Sequence, residues 1–263
     1  MLQSERDGHW SNMEERPLVS VIIASYNCEK TIEAAIRSVL DQSYNNRELI
    51  LIDGGSNDTT LDIIKTYGKA FSYWVSEPDK GVYDALNKGI AVARGEWLYF
   101  LGADDTFIDN EVLEYFFNRE PIGKMMYGSV AWGATGRVYD GNFPKLKICW
   151  RNICQQAIFY RRELFERFGL FDTQYRFSAD WVFNMRCFAD RETQPLYLDR
   201  LVACYAVEGL STRNVDPVFA RRQAQLVREL FGKHALVCFK LFRLIDKAKD
   251  RLGLVRYGNC RRG

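Results

Sequence analysis

A chain of 263 residues that is 47% hydrophobic and 27% charged has a globular composition, which excludes a disordered or fibrous chain. The net charge of +2 is uneven: residues 213–263 hold 13 Lys/Arg against 4 Asp/Glu, and residues 1–212 hold 23 against 30. An acidic body with a basic tail argues against a nucleic-acid binder, whose basic patch should belong to the folded module. No uncharged apolar stretch approaches the ~20 residues that span a bilayer. Met1 to Arg16 is polar and lacks the apolar centre of a signal peptide. Seven scattered cysteines (Cys28, Cys149, Cys154, Cys187, Cys204, Cys238 and Cys260), with no C-x-x-C pair, read as free thiols in a reducing compartment, so a cytoplasmic protein is expected.

In chain order, Leu18–Tyr26 is a β-branched, nearly continuous apolar run, the pattern of a parallel strand buried on both faces. Lys30–Ser43 carries a helical apolar stripe at Ile32, Ala35, Ile36, Val39 and Leu40. Glu48–Ile52 predicts a second strand, and Asp58 a cap for a helix through Leu61, Ile64 and Tyr67. Ser72–Ser76 predicts a third strand, Tyr83–Ala93 a helix and Glu96–Leu101 a fourth strand. This alternation predicts a doubly wound sheet that binds ligands at the carboxyl ends of its strands. Beyond residue 106 the pattern predicts helices over Asp109–Asn118, Arg162–Phe168 and Ala179–Ala189. It predicts extended segments over Met125–Trp132, Ala157–Tyr160 and Leu196–Val207, with a Gly-rich turn region from Gly133 to Pro144. Pro217, after Asp216, opens a helix to about Phe231.

Four polar segments fall at the four strand ends: Ser25-Tyr26-Asn27, Asp53-Gly54-Gly55-Ser56, Glu77-Pro78-Asp79-Lys80-Gly81 and Gly102-Ala103-Asp104-Asp105. Each alone is an ordinary loop. In register they put several carboxylates on one edge of the sheet. The adjacent Asp104 and Asp105 suit a hard cation such as Mg2+ or Mn2+, which relieves their repulsion while bridging phosphates; the alternative is a turn with two solvated carboxylates. There is neither a G-x-G-x-x-G after the first strand nor a G-x-x-x-x-G-K-[ST] anywhere, which argues against a dinucleotide oxidoreductase and a P-loop NTPase.

The segments VSVIIASYN, ELILIDGGSNDTT, SEPDKGVYDALNKGI and ARGEWLYFLGADD resemble the nucleotide-sugar domain of glycosyltransferase family 2, the GT-A fold. A later match, Gln155–Phe183, and the EGLS of Glu208–Ser211 extend the resemblance over roughly residues 17–212. The third segment resembles a bacterial branch that builds surface polysaccharides such as O-antigen, exopolysaccharide or capsule. The resemblance implies a nucleotide-sugar half (17–106) and an acceptor half (107–212), while composition and spacing mark a polar extension (1–16) before them and a basic helical tail (213–263) after them. It implies that Ser25, Tyr26 and Asn27 line the base and ribose and that Asp53 bonds uracil or ribose, with Gly54 allowing close approach. Asp79 and Lys80 would close over the nucleotide or sugar, Asp104 would contact ribose or sugar, and Asp105 would ligate the metal. Asp180, in Ser-Ala-Asp-Trp, matches the catalytic base, and Trp181 would stack on the acceptor or shape its pocket. Gln155 and Gln156 stand in an acceptor-side position where relatives commonly have His-Gln, and Gly102 stands where they often have Asp.

An inverting transfer needs a base for the acceptor hydroxyl and a stabiliser for the departing diphosphate. The two histidines, His9 and His234, lie outside the matched domain, which leaves a carboxylate as the base. Asp180 is the candidate; the alternative is a first-turn helix acid, with Ser178 as the cap. In the tail, Cys238, Leu241, Phe242, Ile245, Ala248 and Leu252 recur at helical spacing, with Lys240, Arg243, Lys247 and Arg251 on the other face. This pattern suits either the surface of an anionic inner membrane or packing on the domain itself. Together with this inventory, the resemblance implies an inverting, Mn2+- or Mg2+-dependent transferase that uses a UDP-sugar and a lipid-linked saccharide acceptor. The competing readings are a nucleotidyltransferase and a binding subunit that has lost turnover.

Overall fold

The computed structural model describes residues 16–121, 123–139, 141–206 and 216–251. Most of the polar N-terminal extension, the EGLS segment and Leu252 onward lie outside the described residues. β1 (Val19–Ser25), β2 (Arg47–Asp53), β3 (Tyr73–Ser76) and β4 (Trp97–Gly102) form a parallel array in the order β3-β2-β1-β4. Their register brings Ser25 beside Asp53 and Asp53 beside Ser76. β8 (Ile158–Arg161) adds antiparallel to β4, followed by β6 (Met125–Trp132), β9 (Leu196–Tyr205) and the two-residue β5 (Thr106–Phe107). β7 (Arg137–Tyr139) pairs with β6 inside the stretch expected to be turn only.

Alternate side chains of β1 enter two cores, Ile22 on one face of the sheet and Val21 and Ile23 on the other. α1 (Ile32–Leu40), α2 (Thr60–Thr66) and α4 (Val112–Phe117) cover the second face. α3 (Val82–Val92), α5 (Glu163–Phe168), α6 (Ala179–Ala189) and α7 (Pro217–Arg251) cover the first. The doubly wound expectation therefore holds for the parallel array, with a mixed extension beyond β4 in which β8 pairs antiparallel to β4 and β6 while β6 and β9 run parallel to each other. Asp58 accepts the Thr60 amide at 3.0 Å as α2 opens. Asp216 accepts the amides of Val218 (3.0 Å) and Phe219 (2.9 Å), which caps α7. Ser178 makes no side-chain cap bond at α6, contrary to expectation.

α7 is broken at Gly232 (φ 85°). Before the break Phe219, Leu226 and Val227 are buried, and after it Ala235 and Phe239 are. Phe242 stacks on Trp150 with ring centroids 4.9 Å apart. Phe242 thus leaves the single apolar stripe read from the sequence and turns toward the domain. No helix of the described residues is long and apolar enough to cross a membrane.

Candidate active site

The carboxyl ends of β1 to β4 share one edge, and each loop there is tied to its neighbour. Asp53 is fully buried, and five donors reach its carboxylate: Ser25 Oγ (3.0 Å), Gly55 N (3.2 Å), Ser56 N (2.9 Å), Ser56 Oγ (2.5 Å) and Ser76 Oγ (2.6 Å). Burial alone would raise its pKa, but the Ser56 and Ser76 hydroxyls, the Ser56 amide and Ser25 bring it below the ordinary value. The sequence reading had Asp53 bond uracil or ribose. In the structure its lone pairs serve the loops after β1, β2 and β3, so it organises the edge from beneath.

Asn27 takes a left-handed φ of 48° and accepts the Asn57 amide on its side chain at 2.9 Å. Tyr26 projects outward and is exposed. Gly54 matters for a close approach: a Cβ there would lie 2.5 Å from Asp79 Oδ2 and 3.4 Å from the Tyr26 ring. Asp79 is therefore the carboxylate that lies over the end of β2, anchored by the Gly81 amide at 2.7 Å. Lys80 is exposed, and its backbone N–H donates to Asp84 at 3.1 Å. Lys88 pairs with Glu77 at 2.7 Å and donates to the Pro78 carbonyl, which fixes this segment. Arg94 pairs with the buried Glu48 at 2.9 Å.

At the end of β4, Asp104 is exposed and Asp105 is 1% exposed. Asp105 accepts Gln156 Nε2 on Oδ2 and the Ala206 amide on Oδ1, both at 2.7 Å. Burial, and then the neighbouring charge of Asp104, push its pKa up to about 7 against the pull of those bonds. Desolvation also raises the pKa of Asp104. The residue pattern offers both Asp104 and Asp105 to a cation, and the resemblance implies Asp105 as the ligand. The geometry makes Asp104 the open carboxylate and Asp105 the inward one. Above Gly102 the two converge, since a Cβ there would overlap Asp105 Oδ2 and lie 2.9 Å from Asp104 Oδ1. Among the described residues no three His, Cys, Asp or Glu side chains cluster as a ready ligand set. Two converging carboxylate oxygens nevertheless suit a hard divalent ion whose remaining ligands come from phosphate and water.

Asp180 opens α6 and is 8% exposed. Tyr83 OH donates to its Oδ1 and Asn152 Nδ2 to its Oδ2, both at 2.6 Å. Asn184 donates to Asn152 at 3.0 Å and in turn accepts from Tyr160 OH at 2.8 Å. Burial holds the Asp180 pKa above the ordinary carboxylate value, with Tyr83, the Trp181 amide and Asn152 pulling it back. Such a carboxyl group is oriented and has a raised affinity for protons, as a general base needs. The five residues from Asn152 to Gln156 bond both acidic centres, Asp180 at one end and Asp105 at the other. Burial raises the pKa of Cys154, within that run, and the charges of Asp105 and Asp180 both add to the effect.

Gln156 is thus a ligand of Asp105. Gln155 Nε2 is buried and has no hydrogen-bond partner among the described residues. Trp181 donates its indole N–H to the Ile148 carbonyl at 2.7 Å and packs on Phe219 at 4.7 Å, so it braces α6 against α7. Sequence reasoning missed Tyr83, Asn152, Asn184 and Tyr160. Tyr83 stood inside a quoted motif, whereas nothing near Asn152 in the chain marked it.

A mixed sheet with acidic loops gathered at the carboxyl edge of its parallel array is the architecture of a GT-A glycosyltransferase. The model of the family described as "Glycosyl transferase family 2" matches residues 20–169, and the chain belongs to that family. It is 38% identical over 214 residues to the "PGL/p-HBAD biosynthesis glycosyltransferase" of Mycobacterium bovis (strain BCG / Pasteur 1173P2), covering 78% of this chain and 84% of that one. It is 34% identical over 229 residues to an uncharacterized glycosyltransferase of Mycobacterium tuberculosis (strain CDC 1551 / Oshkosh), covering 82% and 86%. Similar solved structures include S. aureus TarS 1-349 in complex with UDP-GlcNAc (TM-score 0.63, 18% identity, 81% of this chain and 67% of that one). The mannosyltransferase PcManGT from Pyrobaculum calidifontis, in complex with GDP-Man and Mn2+, is another (TM-score 0.60, 20% identity, 86% and 66%). At these identities the structural likeness speaks for the fold.

Proposed function

We propose that this glycosyltransferase is an inverting, metal-dependent enzyme that moves a sugar from a UDP-sugar to a saccharide acceptor carried on a polyprenyl diphosphate, in the assembly of a surface polysaccharide. The observation that carries this reading is the Asn152–Gln156 segment, which donates to the buried Asp180 carboxylate from one end and to Asp105, the neighbour of Asp104, from the other. Tyr26, Asn27, Asp79 and Lys80 would receive the nucleoside at the parallel edge, resting on the loops that Asp53 ties together. Asp104, assisted by Asp105, would hold Mn2+ or Mg2+ with the donor diphosphate, and the bound ion would supply neutralisation of the charge on the departing UDP.

Asp180 takes the proton of the acceptor hydroxyl. The acceptor oxygen bonds to the anomeric carbon from one face while the bond to the diphosphate oxygen breaks on the other, and its electron pair leaves with UDP. Tyr83 and Asn152 keep the Asp180 oxygens aimed throughout. Gln155, with its unpaired buried amide, is suited to bond the acceptor or the diphosphate. A lipid-borne acceptor would hold the reaction at an anionic membrane surface. The TarS and PcManGT complexes contain UDP-GlcNAc and GDP-Man respectively, so both nucleotides belong in the test.

The experiment is a thermal-shift panel of UDP- and GDP-sugars with Mn2+, followed by release of the nucleoside diphosphate with and without the metal. A ligand at 100 times its Kd stabilises by about 2.7 kcal/mol, which is readily detected. Stabilisation by one UDP-sugar and metal-stimulated UDP release are expected. Stabilisation without release from any donor would leave a binding subunit, and a response to GDP-sugars alone would overturn the choice of nucleotide.

A further inference from the structure

The part of α7 beyond Gly232 presents three faces. At 3.6 residues per turn, Ala235, Phe239 and Phe242 fall on one side and pack on the domain. On the opposite side lie Val237 (56% exposed), Leu241 (54%), Leu244 (64%) and Ile245 (54%), one above another over two turns. Lys233, Lys240 and Arg243 are exposed on the flank between these faces. The one acid in residues 233–246, Asp246, sits half-buried on the domain side. The two readings of the tail are therefore not exclusive: one face is packed on the domain, and a second apolar face is left to solvent with a basic border.

We infer that this second face, centred on Leu241 and Leu244, docks on an anionic lipid surface, the aliphatic side chains entering the headgroup boundary and Lys233, Lys240 and Arg243 meeting the phosphates. Charge complementarity selects this occupant. Over residues 233–246 the exposed face and its flank carry cations and no carboxylate, and the chain from residue 213 onward holds 13 Lys/Arg against 4 Asp/Glu. An antiparallel pair of copies joined through this face would set the two basic flanks side by side, which like charges disfavour. Docking would seat the domain at the membrane through a helix that lies on it and does not cross it. The inference rests on the proposed lipid-borne acceptor for its purpose, but not for its test.

The test is co-sedimentation of the full chain with vesicles of phosphatidylglycerol and phosphatidylcholine, or of phosphatidylcholine alone, without donor or acceptor. Binding is expected to the anionic vesicles at low salt, much weaker at high salt, and weak to the neutral ones. Leu241→Ser/Leu244→Ser/Ile245→Ser and, separately, Lys240→Glu/Arg243→Glu should each lower partitioning by about tenfold or more. Both variants should keep the wild-type melting temperature, because none of these side chains is buried. No binding to anionic vesicles, or binding unchanged by the triple substitution, overturns the inference. So does a dimer in solution that the triple substitution dissociates, which would make a second copy the occupant. Because neither substrate is present, a negative result leaves the transferase reading intact, and absence of sugar transfer leaves a positive vesicle result intact.

Discussion

Replacing Asp180 with Asn preserves the shape of the side chain and removes its ability to take a proton. In the wild type, Tyr83 and Asn152 each donate to one carboxylate oxygen at 2.6 Å. With its oxygen toward Asn152, the substituted amide keeps that bond and donates its NH2 to Tyr83 OH, which turns to accept. The Tyr83 proton then lacks an acceptor, at a cost of about 1–3 kcal/mol, while loss of a buried charge offsets part of that cost. The melting temperature should therefore move by only a few degrees, at about 2–4 °C per kcal/mol for a domain of this size. Catalysis should suffer far more: kcat falls ~10²–10⁴-fold, about 3–5 kcal/mol of barrier, while donor affinity stays within about twofold. The pH dependence supplies a second readout. Burial raises the folded-state pKa of Asp180, which faces Tyr83, Asn152, Tyr160 and Cys154. Wild-type kcat/KM should rise with pH through a midpoint above the ordinary carboxylate value. Because the folded pKa exceeds the unfolded one, this group's contribution to stability declines as pH rises between the two. Both limbs should be absent from the Asp180→Asn variant. Steady-state kinetics and melting curves across pH test this; wild-type kcat, or donor affinity falling as steeply as kcat, refutes the assignment of the base.

Asp104→Ala should remove Mn2+-dependent donor binding with little change in melting temperature, because its side chain is exposed. Asp105→Asn should weaken donor binding and also lower the melting temperature, because an amide cannot accept from both Gln156 and Ala206; calorimetry with and without UDP-sugar and Mn2+ separates the two effects. Gly102→Ala should cost on the order of 10²-fold in kcat with the fold retained, since the new methyl displaces both carboxylates; wild-type turnover would refute their convergence. Asp53→Asn should destabilise by about 1–3 kcal/mol at neutral pH. Its folded pKa is depressed, so its stabilisation is present above the unfolded carboxylate value and lost as pH falls through the folded one; melting curves on the acid side should flatten in this variant.

Which parts of this architecture the sequence revealed follows from where each signal resides. β1, β2 and β4 are buried on both faces, so they read as continuous apolar runs. β6 and α6 appear at the expected bounds. β5 and β7, with two and three residues, have no periodicity of their own and exist through pairing with β9 and β6. In the site, the residue types were legible but the directions of their side chains were not. Asp53 and Asp105 turn inward because their donors, Ser76, Gln156 and Ala206, come from segments 23, 51 and 101 residues away. The second apolar face of α7 was hidden for a similar reason: the domain side is marked by the burial of Ala235 and Phe239 and by the stacking of Phe242 on Trp150, a residue far away in the chain.

The bond from the Ala206 amide to Asp105 Oδ1, 2.7 Å long, joins the end of β9 to the end of β4. It makes one backbone proton a built-in reporter. Its nuclear magnetic resonance frequency senses the charge on the carboxylate it touches, and its exchange with deuterated solvent senses how often that contact opens. A chain labelled with nitrogen-15 at alanine would therefore register ion or donor capture at Asp105 through a single resonance from the opposite half of the domain, before any sugar is transferred.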